Sequence, residues 1–390
     1  MKKLNAVFVH SHIFIYDSND QVFSEGKLVY ETWQRYLKHF ESLTVLGRYK
    51  EGSGENLNCS SGTGVKHVKL PNFSTIRGRT QKKNQAKSIM SEHIKTADIV
   101  IARLPSEQGL LAINISKKFN IPFVVELVGD IRSSYWYHGS LAGKILAPLS
   151  YIKVKNAVAD AQYILYVTER HLQRLYPPKN AVFTTACSNV EIPASPDYYN
   201  EKSVKVTRDT FNIGLIGSYN SKYKGIENAL NVIKLLNKEN KQVHLKILGS
   251  GDKSGLLKKI EKLGLEDSVT LSGSLPGGKP VLEWLSSLDL YIQPSLTEGL
   301  PRALIEAMYS GLPCIASNVG GIPELLDREF LHKPQDESRL YSKIKEFYYS
   351  EDLRKNQGLN NYNKSLGYKK NILDEKRFEF WKAVVNNIRG

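Results

Sequence analysis

Short apolar runs alternate along the chain with longer stretches in which apolar side chains recur every third or fourth position. The short runs read as strands buried on both faces and the longer stretches as helices laid over them, which predicts parallel sheets wrapped by helices. In the first half the strands fall at residues 6–9, 44–47, 99–102, 122–127 and 163–167, with helices at 30–40, 108–119 and 169–176. A polar, proline-containing stretch over 192–208 breaks the pattern and reads as a linker. Beyond it come strands at 212–216, 244–248, 269–272, 290–293 and 313–316, with helices beginning near Gly225, Lys253, Pro280, Pro301 and Gly321. The last segment, 374–388, reads as a helix with Phe378, Trp381, Ala383 and Val384 on its buried side. Residues 1–195 and 196–370 are thus expected to form two doubly wound α/β domains, with a terminal helix over 371–390. Ligands of such sheets lie over the carboxyl ends of the strands.

A chain of 390 residues is long enough for two domains. Met1-Lys2-Lys3 carries the charge of a leader, but the apolar run that follows stops at His10-Ser11-His12, too soon for one, and reads as the first strand. No apolar run approaches the ~18 residues of a membrane span, so a soluble or peripheral protein is expected. Cys59, Cys187 and Cys314 lie far apart and lack metal-ligand spacing, which fits a reducing compartment. The net charge of +15 is uneven: residues 1–195 hold 25 Lys and Arg against 15 Asp and Glu, a net of +10, and the rest hold 29 against 24, a net of +5. Such a field suits nucleic acid, an anionic membrane face or a phosphorylated acceptor. Two basic runs lie in the N-terminal half, 77–87 (RGRTQKKNQAK) and 141–158 (LAGKILAPLSYIKVKNAV). The second mixes lysines with apolar residues as a lipid-facing surface does, although most such runs are solvated faces.

The chemistry concentrates between Pro294 and Leu325, PSLTEGLPRALIEAMYSGLPCIASNVGGIPEL. Glu298-Gly299-Leu300-Pro301 reads as a loop feeding a helix, since glycine permits a tight approach and proline suits a first helical turn. Free N–H groups there favour an anion such as a diphosphate, while Glu306, in the second turn, can offer its carboxylate to two neighbouring hydroxyls. A sugar nucleotide carries both kinds of group. The segment resembles the signature of the family-4 retaining glycosyltransferases: Glu298, seven residues, Glu306, then Gly311-Leu312-Pro313 and Gly320-Gly321-Ile322-Pro323-Glu324. The resemblance implies the GT-B fold, two Rossmann-like domains facing a central cleft. The N-terminal domain would bind the acceptor, the C-terminal domain a nucleotide-sugar, and the final helix would cross back to the N-terminal domain.

On that resemblance Glu306 holds the ribose hydroxyls, Glu298 orients the transferred sugar, and Gly299, Leu300 and Pro301 set backbone groups against sugar and phosphate. The family carries an Arg just after the glycine of the loop that opens this domain and a Lys before the next glycine, both directed at the diphosphate. Lys224 matches the second, or is an exposed helix-start lysine; Ser218, after Gly217, stands where the Arg is expected. Either Lys222 or Arg302 supplies the missing charge, or Lys224 acts with the helix dipole alone. Gly249 lies in the turn after the next strand, and Ser274 and Leu275 follow the third, where the backbone receives the base edge. Backbone recognition leaves the base unread by side chains; a UDP-sugar is the favoured donor and a GDP-sugar the other.

In the N-terminal domain, Gly26 in Phe23-Ser24-Glu25-Gly26-Lys27 resembles a shortened form of the family's glycine-rich first loop, whose backbone approaches the donor phosphate, or Ser24 is a plain helix N-cap. Many relatives carry a His at the end of the strand that here runs Glu126-Leu127-Val128; Gly129 occupies about that place and Asp130 follows. Asp130 would hold a sugar hydroxyl or the attacking hydroxyl, or would pair structurally with Arg132 or Arg103, while Glu126 reads as a core acid. The implied catalytic set is Glu298, Asp130 and Lys224, in a hexosyl or N-acetylhexosaminyl transfer with retention. With no Asp-x-Asp pair, neither metal nor other cofactor is expected. The implied acceptor is a saccharide or lipid-diphosphate-linked saccharide in capsule, O-antigen or exopolysaccharide synthesis, met at the inner face of the cytoplasmic membrane. A basic nucleic-acid- or membrane-binding protein on a GT-B-like scaffold without transferase activity is the alternative. It explains the charge but not the signature, and no RNP, KH or zinc-finger pattern is present.

Overall fold

A computed structural model describes residues 4–55, 57–73, 81–138, 141–193, 210–239 and 241–389. The linker expected over 192–208, with the domain boundary at 195, lies almost wholly outside the described residues, as do positions 77–80 of the first basic run. The chain opens with β1 (Leu4–Tyr16), β2 (Val22–Ser24), α1 (Tyr30–Leu37), β3 (Phe40–Glu51), β4 (Asn58–Cys59), β5 (Val65–Leu70) and α2 (Gln81–Ile94). It continues through β6 (Ile99–Leu104), α3 (Glu107–Phe119), β7 (Phe123–Leu127), α4 (Ile131–His138), α5 (Leu141–Asp160), β8 (Tyr163–Tyr166), α6 (His171–Leu175) and β9 (Phe183–Ala186). The second unit runs β10 (Phe211–Ile216), α7 (Ile226–Lys238), β11 (Val243–Leu248), α8 (Ser254–Leu263), β12 (Val269–Gly273), α9 (Lys279–Ser286), β13 (Leu290–Gln293) and α10 (Arg302–Tyr309). It ends with β14 (Cys314–Ser317), α11 (Ile322–Leu325), β15 (Leu331–His332), α12 (Glu337–Tyr349), α13 (Glu351–Ser365) and α14 (Lys370–Arg389).

In the first sheet the parallel order is β5-β3-β1-β6-β7-β8-β9, so the winding direction changes at β1, and β2 and β4 add a short antiparallel ribbon. The second sheet is parallel throughout, β12-β11-β10-β13-β14-β15, with the change between β10 and β13. Crevices form at such switch points because neighbouring loops leave in opposite directions. β1 runs past the expected end at Val9. Its pairing with β3 shifts register between Val9 and Ile13, so His10-Ser11-His12 form an irregular step before Phe14, Ile15 and Tyr16 bury themselves again.

The terminal helix corrects one expectation. Phe378 is 43% exposed and lies beside His39, whereas Leu373, Arg377, Phe380, Trp381 and Val384 are buried. The buried stripe is therefore centred on Phe380 and Trp381. Trp381 meets Tyr36 at 5.4 Å and Phe40 at 5.6 Å, and Phe380 stacks on Phe183, so α14 lies against α1 and β9 of the first unit.

Candidate active site

The second crevice is built by two loops drawn together. Gly225 has φ 71°, and a Cβ there would lie 1.9 Å from the Pro294 carbonyl oxygen, so only glycine lets the turn after β10 lie against the loop after β13. The turn brings Lys224 over Gly217 and sets its Nζ 2.7 Å from Oε1 of Glu298. The same carboxylate oxygen accepts from Ser295 Oγ at 2.7 Å and Gln293 Nε2 at 2.9 Å. Both partners are largely buried, so removing one leaves a charge with little solvent to stabilise it. Gly249 lies beside the Gly217 carbonyl, while Ser218, Lys222, Ser274 and Leu275 stand exposed around this centre.

Gly299 is one of the points where the domains touch. A Cβ there would lie 2.5 Å from the Val128 carbonyl oxygen, at the tip of β7, and the Gly299 carbonyl accepts from Gly321 N at 2.7 Å. The glycine pair 320–321 thus supports the loop carrying Glu298. Leu300 packs into the first domain's cluster around Leu127, Val167 and Leu172, and Pro301 is the N-cap of α10. Glu324 crosses the interface: its carboxylate accepts the N–H groups of Glu169, Arg170 and His171 at 2.7, 3.0 and 2.6 Å. It caps α6, which begins at His171, later than the helix expected over 169–176.

Glu306 is half-buried, and among the described residues its carboxylate takes no hydrogen bond. Burial raises its pKa, with Arg302 and Lys27 pulling the other way and Glu191 adding to the rise. It is an acceptor without a donor at the cleft, as a ribose diol would require.

Asp130 is engaged elsewhere. It accepts from Tyr176 OH at 2.5 Å, Ser133 Oγ at 2.8 Å, and the backbone N–H groups of Arg132 and Ser133 at 3.2 and 3.3 Å, while Arg132 Nε lies 3.5 Å away. Burial alone would raise its pKa, yet the bonds from Tyr176 and Ser133 and the charge of Arg132 hold it below the usual value. These contacts make it the cap of α4, and Arg103 pairs with Glu126 instead, at 2.7 Å. Ser24 is not the cap of α1, whose N-cap is Val29; its Oγ accepts from Gly26 N at 3.0 Å and meets His12 Nε2 at 2.8 Å.

Several groups at the cleft carry no sequence motif: His10, His12, Arg35, Glu126, Glu191 and the interdomain role of Glu324. The one local signal was His10-Ser11-His12, a polar break in an otherwise apolar strand at the switch point. Two facing Rossmann-like sheets with a nucleotide-type crevice in the second define a GT-B fold. The structure superposes on HepE from Anabaena, in a crystal structure with UDP and glucose, with a TM-score of 0.68 at 14% identity over 99% of this chain and 100% of that one. Residues 200–364 match the model described as "Glycosyl transferases group 1". Protein CapJ of Staphylococcus aureus is 34% identical over 385 residues, covering 98% of this chain and 95% of that one. The putative teichuronic acid biosynthesis glycosyltransferase TuaC of Bacillus subtilis is 25% identical over 292 residues, 71% of this chain and 70% of that one. The chain belongs to the group 1 glycosyltransferases. Membership makes it a glycosyltransferase and sets aside the reading of its charge as a nucleic-acid-binding device.

Proposed function

We propose that this chain moves a sugar from a nucleotide-sugar, a UDP-sugar before a GDP-sugar, to a saccharide or lipid-diphosphate-linked saccharide, with retention and without a metal ion. The observation that carries the reading is the Lys224–Glu298 contact at the switch-point crevice, with the unpartnered Glu306 carboxylate in the second turn of α10. A diphosphate entering here competes with Glu298 for Lys224 and meets the first N–H groups of α10. Glu298, still held by Ser295 and Gln293, then accepts from hydroxyls of the transferred sugar and offsets charge developing at its anomeric carbon. Glu306 accepts from the ribose hydroxyls, and Gly217, Gly249, Ser274 and Leu275 frame the nucleotide, with Gly26 facing it from the first domain.

In the transfer, the bond from the anomeric carbon to the diphosphate oxygen breaks as the bond to the acceptor oxygen forms on the same face. The acceptor's proton passes to the departing oxygen. The protein positions the reactants and stabilises charge, and no covalent intermediate is required. The UDP and glucose held by HepE support the choice of donor, and the name of TuaC supports a surface-polysaccharide acceptor.

Among the described residues no helix is long and apolar enough to cross a membrane. A peripheral contact is supported by α4 and α5, where Trp136, Ile145, Leu149 and Ile152 are exposed beside Arg132, Lys144, Lys153 and Lys155. Cations around exposed apolar side chains complement an anionic phospholipid surface, where a lipid-linked acceptor would be presented.

Thermal unfolding with UDP-, GDP-, ADP- and dTDP-sugars tests the donor. A UDP-sugar should raise Tm by several degrees, and the absence of a shift with any of them would remove the proposal. Proton NMR of the product reads retention, and undiminished turnover in EDTA reads metal independence.

A further inference from the structure

Between the irregular step in β1, α1 and α14 lies a cavity of about 230 Å³, lined in part by His10, His12, Gly26, Lys27, Arg35 and Arg302. That is below the ~300–1,000 Å³ of sites for drug-sized ligands, and it suits one sugar ring or its charged substituent. Cations outnumber acids on its walls. Lys27, Arg35, Arg103, Arg302 and Arg377 line it with Glu126 and Glu191; beside the wall Asp374 lies 3.9 Å from Arg35 and 3.3 Å from Arg377, and Glu306 offsets part of the charge of Arg302 and Lys27. The two wall acids are already committed. Glu126 accepts from Tyr36 OH at 2.6 Å and from Arg103 Nε at 2.9 Å, and one Glu191 carboxylate serves both Arg35, at 2.5 Å, and Lys27, at 3.3 Å. Arg302, exposed at the first position of α10, makes neither hydrogen bond nor ion pair among the described residues.

His10 lines this cavity, and its Nδ1 has no hydrogen-bond partner among the described residues. Buried polar atoms are ordinarily satisfied, so an orphan in a cationic cavity marks a place where something else supplies the partner. Burial, then the charge of Arg103, keeps the His10 imidazole neutral; burial, then Arg48, brings His12 to about 4. Neutral imidazoles serve hydroxyls, donating from one nitrogen and accepting at the other, while the arginines serve an anion.

We propose that this cavity is a subsite for an acidic sugar of the acceptor, one bearing a carboxylate or a phosphate, with Arg35 and Arg302 on the anion and His10 on a ring hydroxyl. The subsite rests on the transferase reading for its role as the acceptor's. It borders the donor crevice. Lys27, on its wall, reaches across the cleft until its Nζ is 2.8 Å from where a Cβ of Gly277 would lie, in the loop after β12 where the base is expected.

The test uses the full chain with histidine side chains observed by NMR, with and without saturating UDP, titrated with glucuronate, glucose 6-phosphate and glucose. At least one acidic sugar should bind tenfold or more tightly than glucose and shift the His10 and His12 signals. The tighter of the two distinguishes a carboxylate from a phosphate acceptor. Arg302→Gln, on the surface, and Arg35→Gln should each reduce the preference over glucose to below threefold. Equal binding of glucose, unmoved histidine signals, or displacement of the acidic sugar by UDP overturns the proposal, the last by assigning the cations to the donor. Failure of UDP to bind would strike the donor reading alone, since the titration without UDP still reports on the cavity.

Discussion

At the carboxyl end of the second sheet, Glu298, Glu306, Gly320, Gly321 and Glu324 come from one stretch of chain that runs β13, α10, β14 and α11 around a single crevice. At the facing end of the first sheet, His12, Ser24, Arg35, Glu126 and Glu191 come from β1, β2, α1, β7 and the segment after β9. Both ends are crevices at a switch point of a parallel sheet. A site assembled inside consecutive βα units leaves a spaced motif, and one assembled across the width of a sheet leaves isolated residues. On the proposed function the contrast also separates tasks, since the nucleotide is a shared ligand and the acceptor is particular to each enzyme.

The contrast is sharpest at Glu298. Glu298→Gln keeps the shape and the bond from Ser295 but leaves Lys224 without its counter-charge and the sugar without a carboxylate. Turnover should fall by about 10²–10³, the usual cost of removing one preorganised charge-stabilising group. Urea unfolding should show a loss of about 1–3 kcal/mol from the unpaired cation. Near-normal turnover would break the assignment of this end as the reacting one.

Glu306→Gln should act on binding rather than chemistry, weakening UDP by about tenfold as one charged acceptor of a hydroxyl pair is lost. Its raised pKa gives the wild type a signature. UDP affinity should begin to fall with decreasing pH above the point where an ordinary glutamate protonates, and calorimetry across pH 4–7 should show that slope lost in the variant. A slope retained in Glu306→Gln would move the ribose contact to another group.

Five of the six strands of the second sheet and the Glu298 loop were legible in the sequence because each is a continuous apolar run or a local motif, whereas the two-residue β15 is too short to leave either. β5 escaped notice because in the edge strand Val65-Lys66-His67-Val68-Lys69-Leu70 polar residues fall on both faces, His67 packing against Phe14 and Trp33, so no alternation marks it, and β1 was cut short because the step at His10-Ser11-His12 breaks its period. Asp130 illustrates the other limit. Its place at a strand tip was legible, but the partner that fixes its task, Tyr176, lies 46 residues away. The same holds for Glu324, whose partners are 153 to 155 residues upstream.

Asp130 therefore tests whether the two ends differ in kind. Asp130→Ala should cost about 1–2 kcal/mol at neutral pH through the lost helix cap. Turnover per folded molecule should change by less than tenfold. The folded-state pKa lies below the unfolded one, so this contribution is present above about pH 4 and disappears as pH falls through the folded value. Unfolding curves of both proteins should converge below that point. A large loss of turnover with stability intact would make Asp130 a catalytic residue and the two ends alike.

Glu324 belongs to both regions, and its effect should be the smallest. Its carboxylate holds three N–H groups of the first domain from a helix of the second, so these bonds exist only while the cleft is closed. Glu324→Gln retains one carbonyl oxygen but turns an NH₂ toward donors, removing about 1 kcal/mol from the closed form, because the contact is solvent-exposed and charge-assisted bonds there are screened. A shift of that size changes the open-to-closed ratio about fivefold. Global stability should hardly move, since neither domain's core is touched. Small-angle scattering should show a larger mean radius for the variant in the absence of nucleotide. Saturating UDP-sugar, which on the proposed function binds between the domains, should restore the wild-type radius. If the radius is unchanged from the start, Glu324 caps α6 and nothing more, and the closed cleft is held by Gly299 and Leu300 against the tip of β7.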